Sequence, residues 1–380
     1  MNLPRKAQPP VGRRVFLAPA IASENSLSMD LYHDDVRSHL AETAPALRVD
    51  SIVPFWSRLR GRLFKQLARY GTYPMACLTR SIAVRGRAIF HILDHSSAHL
   101  CHACHPSVVT CHDIADWESS TMTRTQHRLW KWRVRGMRKA ACIIAISRNT
   151  AADIGNFLHI ESAKIVINPY GISPAFRPMR EPDGSRAIPK LESEPRSTLL
   201  LLHVGTNIRR KNIPTLLRAL RAVNAAGCDA KLVKVGHDLR PEFGPLIDEL
   251  GIGGRLIFLG NRSQQELIAV YNDCDVFCFP SAYEGFGRPV LEAQACGIPT
   301  VLANTSSLPE VGGDGALFHE TLDDAALARH ILDLAGSADL RGSLREKGLA
   351  NARRFTWLRH AEKLREVYEE IWEHTAEAKS

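Results

Sequence analysis

An α/β architecture of two parallel-sheet domains follows from three features of this 380-residue sequence. Short apolar runs alternate with amphipathic helical stretches along most of the chain, as strands and crossover helices do in parallel sheets. The segment Ser173 to Pro195 breaks that rhythm with prolines and charges and no apolar period, as a linker does. The length suits two or three domains of about 100 to 200 residues, and 45% hydrophobic against 23% charged residues provides for full cores.

The first half offers strands at Val15 to Ala20, Ala88 to Leu93, Val108 to Thr110, Cys142 to Ile146 and Ile165 to Ile167. Arg13 and Arg14 precede the first of these as a twin-arginine leader would. The apolar run Val15 to Ala22 is only eight residues long and contains Pro19, so it reads as a buried strand instead. The second half is more regular. Strands are expected at Leu199 to Gly205, Lys231 to Gly236, Arg255 to Leu259, Val276 to Pro280 and Pro299 to Leu302, with helices at Ile213 to Ala226, Gln264 to Asn272 and Pro289 to Cys296. That is a Rossmann-like unit. A last helix, Thr356 to His374, turns Trp357, Ala361, Leu364, Val367, Tyr368 and Ile371 inward. The expected divisions are 1–175, a linker at 176–196, 197–355, and a crossover helix and tail at 356–380. Ligands of open α/β sheets bind at the carboxyl ends of the strands, so two facing sheets place function in the cleft between them.

Charge is unevenly spread. Residues 1–175 carry 23 Lys and Arg against 12 Asp and Glu, whereas 176–380 carry 26 against 28. A basic first domain points to an anionic substrate or lipid surface rather than a nucleic-acid coat over the whole chain. No run approaches the roughly 18 to 20 apolar residues of a membrane-spanning helix. Within residues 55–70, Phe55, Trp56, Leu59, Leu63 and Leu67 recur at helical spacing among Arg58, Arg60, Arg62, Lys65 and Arg69, with no acid between them. That pattern fits a helix lying on an anionic membrane, and equally a core helix with a solvated basic face. Trp130, Lys131, Trp132, Arg133 and Arg135 interleave aromatic and basic residues but read as a packing helix, and no nucleic-acid partner is expected. Nine scattered cysteines read as reduced thiols of a cytoplasmic protein. Cys101-His102-Ala103-Cys104-His105 lacks the second pair a zinc site needs, and Asp273-Cys274-Asp275 falls at a helix-to-strand corner, so no metal is expected at either.

The chemistry concentrates in Phe279 to Pro299. A strand ends, a loop carrying Gly285 and Gly287 follows, and Pro289 opens a helix stopped by Gly297. The glycines let the backbone approach a ligand, and a helix start suits a phosphate. Glu284 at the strand edge and Glu292 two turns into the helix are placed to accept hydrogen bonds from sugar hydroxyls.

This segment resembles the E-x7-E signature of glycosyltransferase family 4, retaining enzymes of the GT-B fold. Leu202 to Asn212 is similar to that family's strand, glycine and Arg-Lys-Asn loop, and Val109 to Asp113 to its His-Asp turn. Leu308 to Val311 and Phe355 to Trp357 extend the resemblance, which is dense over 199–372 and thin over 1–198. It implies a catalytic group of His112, Arg210, Lys211 and Glu284. It also implies a donor-binding set of Gly205, Thr206, Phe286, Gly287, Arg288, Pro289, Val290 and Glu292. Lys211 and Arg210 would take the diphosphate of a UDP- or GDP-sugar, Glu292 the ribose, Glu284 the sugar, and His112 the reacting face, with no cofactor and no metal.

Three positions depart from the family pattern. Thr206 stands where many members have Arg, which leaves the diphosphate to Arg210 and Lys211. Arg288 replaces a common Leu or Met. The loop Ile21 to Asp30 lacks the usual pair of glycines. The expected activity is retaining sugar transfer to a saccharide or lipid-linked saccharide of a bacterial surface polysaccharide, in the cytoplasm or at the inner membrane face. A soluble enzyme acting on a small sugar, a nucleotide-sugar epimerase and an inactive sugar-binding lobe are the alternatives.

Overall fold

The computed structural model describes residues 13–20, 27–53, 67–84, 87–115, 122–179 and 186–377. Two compact units emerge, one of Met1–Gly171 with Trp357–Ser380 and one of Ile172–Thr356. Most of the basic, apolar segment at 55–70 and the first part of the loop at 21–30 lie outside the described residues.

The first unit holds β1 (Arg14–Ala18), β2 (Arg48–Ser51), β3 (Ala88–Ile92), β4 (Ser107–Cys111), β5 (Cys142–Ala145) and β6 (Ile165–Ile167) in the order β2-β1-β3-β4-β5-β6. The second holds β7 (Leu199–Gly205), β8 (Ala230–Gly236), β9 (Leu256–Gly260), β10 (Val276–Phe279), β11 (Thr300–Ala303) and β12 (Ala316–His319) in the order β12-β11-β10-β7-β8-β9. Both sheets are parallel throughout. Interior strands such as β3, β5 and β10 are buried along their whole length, which explains their unbroken apolar runs. The edge strands β2 and β12 each pair with a single neighbour, and the sequence reading missed both. Arg48-Val49-Asp50-Ser51 carries too much polarity to stand out, while Ala316 to His319 is too short.

Strand order fixes where a ligand fits. In each sheet the order reverses between two strands, and the loops leaving that pair part to open a crevice. The reversal falls between β1 and β3 in the first unit and between β7 and β10 in the second.

The helix Trp357–Glu377 belongs to the first unit and buries His360 and Trp372 besides the expected apolar residues. A chain of hydrogen bonds ties it to the sheet, and its direction follows from one acceptor. The Pro169 carbonyl can only accept, so His360 Nδ1 carries the proton (2.9 Å) and Nε2 receives the Tyr32 hydroxyl (3.2 Å). Tyr32 then accepts from Thr110 (3.1 Å), Thr110 from His91 Nε2 (2.8 Å), and His91 Nδ1 from the Tyr368 hydroxyl (2.6 Å). Burial holds His91 down to about 3 and His360 to about 4, so both rings are neutral.

The end of the segment read as linker is packed against the second unit. Asp273 accepts from the amides of Ala187 (3.0 Å) and Ile188 (2.8 Å), Leu191 is fully buried, and Arg186 donates to the carbonyls of Leu191 (3.1 Å) and Glu194 (3.2 Å). Asp275 accepts from the Leu200 amide at 2.8 Å. Both carboxylates of Asp273-Cys274-Asp275 thus serve backbone amides. All nine cysteines are free and eight are buried, and no cluster of three metal-ligating side chains occurs among the described residues.

Candidate active site

The two loops that leave β7 and β10 at the reversal point are stitched together. The Ala282 amide donates to the Arg210 carbonyl (2.7 Å), and Asn212 Nδ2 donates to the Pro280 carbonyl (3.1 Å). Asn212 holds a left-handed conformation (φ 52°) and ends the short turn Arg209–Lys211 before the helix Ile213–Ala225. The β10 loop is anchored from behind. Ser307, fully buried, shares its hydroxyl between the carbonyls of Glu284 and Phe286 (2.9 Å each), and the Glu284 amide donates to Ser306 Oγ (2.9 Å).

These contacts bring Lys211 and Glu284 together. Lys211 Nζ lies 2.6 Å from Glu284 Oε1, with Arg210 Nη1 3.9 Å from Oε2. Glu284 is 6% exposed, so the pair sits where charge interactions are strong. Lys211 also rests on the Phe279 ring, 4.7 Å from its centroid, and His203 stacks on that same ring at 5.8 Å. His203 is buried with both ring nitrogens unpartnered, and burial with the charges of Lys234 and Lys211 holds it well below its usual range. Cations outnumber the single carboxylate here, as a site for an anionic leaving group requires.

Glu292 engages Tyr271, whose hydroxyl donates to Oε2 at 3.0 Å. Burial raises the Glu292 pKa against the opposing pull of Arg288 and Tyr271. Gly287 caps the helix Arg288–Cys296 at φ 97°, a conformation that favours glycine. Phe286 is buried against Phe355 (5.9 Å). Pro289 has no N–H, and the buried Val290 gives its own to the Gly287 carbonyl (2.9 Å), so these two shape the site rather than charge it. Gly205, at φ 145°, closes β7 just before Thr206.

His112 belongs to the first unit, where it follows β4. Its Nε2 donates to the Leu93 carbonyl (2.7 Å), which leaves Nδ1 to accept from the Tyr170 hydroxyl. Both nitrogens are occupied and burial lowers the pKa. The ring is fixed and neutral, suited to setting the shape of that loop rather than to moving a proton.

Residues 186–351 match the family model described as Glycosyl transferases group 1, and residues 36–176 match Glycosyltransferase Family 4. An O-antigen chain mannosyltransferase B from Escherichia coli is 30% identical over 279 residues, which is 70% of this chain and 71% of that protein. The chain belongs to glycosyltransferase family 4. Two solved glycosyltransferase-like folds align with nearly all of this family 4 chain. Sucrose-phosphate synthase from Thermosynechococcus elongatus superposes with a TM-score of 0.79 at 19% identity, covering 95% of this chain and 100% of that one. Anabaena HepE in complex with UDP and glucose gives 0.69 at 17%, covering 94% and 99%. At such identities the likeness shows the fold, which is GT-B.

Three supporting residues of this family 4 site escaped the sequence reading: Ser307, Tyr271 and Lys234. Lys234 is 1% exposed and donates to the carbonyls of Gly205 (2.5 Å) and Val235 (3.0 Å). Burial first, then the neighbouring Lys211 charge, lowers it to about 8. One signal was available, a lysine enclosed by the apolar run Leu232-Val233-Lys234-Val235. Tyr271 and Ser307 carry no such mark.

Proposed function

We propose that this glycosyltransferase moves a sugar from a UDP- or GDP-activated donor, held at the β7/β10 crevice, to a hydroxyl of a saccharide acceptor in bacterial surface polysaccharide assembly. The observation that carries this reading is the buried Lys211–Glu284 pair with Arg210 beside it, set where a parallel sheet binds ligands. As the anomeric C–O bond breaks, the leaving diphosphate gains charge, and Lys211 and Arg210 stabilise it. Glu284, held in place by Lys211, accepts hydrogen bonds from the sugar hydroxyls. Among the described residues of the crevice, Glu284 is tied to Lys211 rather than free to act as a nucleophile. With the retention that the resemblance to family 4 implies, the acceptor oxygen attacks on the face the diphosphate leaves and its proton passes to a departing phosphate oxygen, a step that Lys211 and Arg210 support without calling on a metal. The E. coli relative's mannosyl activity makes GDP-mannose the first donor to test.

Contact with an anionic membrane belongs to the same proposal. The helix Tyr73–Val84 contains no acid and exposes Met75 (58%), Leu78 (41%) and Ile82 (67%) on one side of the basic unit. Product analysis tests the central reading. With nucleotide-sugars and a saccharide acceptor, a new glycoside with the donor's anomeric configuration should form in the presence of a chelator. A rearranged nucleotide-sugar formed without an acceptor would mark an epimerase.

A further inference from the structure

Arg133, on the helix Arg124–Arg135 of the first unit, is only 9% exposed, yet its Nε and Nη1 have no hydrogen-bond partner. Arg69 lies on the π-helical turn Ala68–Thr72, a type of irregularity that often marks a functional position. Its Nε is also buried and unpartnered. His99 joins the two. Its Nε2 donates to the Arg69 carbonyl (3.0 Å), and its ring lies 5.8 Å from that of Trp132, the neighbour of Arg133, and 5.7 Å from that of Tyr70. Burial and both arginine charges hold His99 near 4, so the ring is neutral and its buried Nδ1 is an unused acceptor. Asp94 acts on Arg133 only through space, against the larger effects of burial and the Arg69 charge, because its oxygens are engaged by the Ser96 amide (3.0 Å) and hydroxyl and by His95 (3.3 Å).

A buried guanidinium, Arg133, with the buried Nε of the half-buried Arg69 beside it and no hydrogen-bonded counterion, is a costly arrangement, since a buried charge is tolerated when paired and hydrogen-bonded. Lys211 and Arg210 have Glu284; among the described residues this pair has no ion-pair partner. The missing component is an anion, and forked N–H donors fit the oxygens of a phosphate. We propose that Arg69 and Arg133 form a phosphate-binding site in the first unit, which takes a phosphate ester borne by the acceptor. His99 Nδ1 accepts from a hydroxyl of that ligand. Trp132, half exposed and stacked on His102 (6.4 Å, 8°), offers an apolar face beside it. Assigning the phosphate to the acceptor rests on the transferase reading; the anion site itself does not.

Calorimetric titration of the full chain with methyl phosphate, at fixed ionic strength, tests this site. Arg133→Met and Arg69→Met should each weaken binding at least tenfold, while Lys211→Ala should leave it unchanged. Vesicles of phosphatidylglycerol in phosphatidylcholine form the second arm. Sedimentation lost in R133M identifies a lipid phosphodiester, whereas an R133-dependent methyl phosphate response without such sedimentation identifies a soluble ester; either supports the site. In phosphate-free buffer R133M should melt above the wild type, because it carries no unpaired buried charge, and added phosphate should raise only the wild type. The site is overturned if R133M matches the wild type with both probes, if Lys211→Ala abolishes the methyl phosphate response, or if R133M melts lower and phosphate leaves the wild type unmoved. Titrating UDP and GDP into the same preparations reads the donor site separately, so the two failures are distinguishable.

Discussion

Glu292 is a buried carboxyl to which, among the described residues, the Tyr271 phenol donates, and desolvation lifts its pKa above the ordinary 4.5. A raised pKa means the ionised form is disfavoured by folding. Its cost to stability is therefore present at neutral pH and fades as pH falls toward 4.5. Glu292→Gln should raise stability at pH 7.5 by about 1 kcal/mol, roughly 2 °C in Tm for a chain of this size. It should also weaken nucleotide binding. Melting curves at pH 7.5 and 4.5 check both the sign and its disappearance; a destabilised E292Q at pH 7.5 contradicts it. Glu284 was legible because glycines and a proline at fixed spacing follow it, and Lys211 because Leu202 to Asn212 resembles the family's strand, glycine and Arg-Lys-Asn loop. Lys234 was not, because alternation along a strand assigns a lysine to solvent, and only the pairing of β8 between β7 and β9 encloses it.

The β10 loop and the last helix show how elements are held. Ser307 supports two carbonyls with one hydroxyl, and removing it leaves both buried acceptors without that donor. Ser307→Ala should cost about 1–3 kcal/mol of stability and raise KM for the donor more than it lowers acceptor binding; an unchanged KM refutes the anchoring role. In the helix Trp357–Glu377 the periodicity announced the inward face, and His360, three residues after Trp357, falls on it but went unmarked because it is polar and its partners Tyr32 and Pro169 are distant in sequence. His91 and His360 are depressed to about 3 and about 4 from 6.5. Groups lowered in this way contribute stability that is full above 6.5 and is lost as pH falls through their folded values. An NMR titration should find both rings unprotonated at pH 5; protonation near 6.5 would show that the hydrogen-bonded chain does not form.

At the scale of the molecule, alternating strands and helices sufficed for the α/β class and for most strands, because interior strands must be apolar on both faces. The edges β2 and β12 were lost for want of that constraint, and strand order could not be read because pairing is non-local. Order nonetheless explains the site. Lys211 follows β7 and Glu284 follows β10, which are far apart in sequence but adjacent where the second sheet reverses. The account therefore depends on one property, recognition of a nucleoside diphosphate by that crevice. Calorimetric titration of UDP, GDP and their sugar conjugates into the wild type and Lys211→Ala measures it directly. One nucleotide series should bind the wild type, and the variant should weaken it at least tenfold, about 1.4 kcal/mol or more. Absence of binding by every nucleotide, or equal binding by Lys211→Ala, would contradict the assignment.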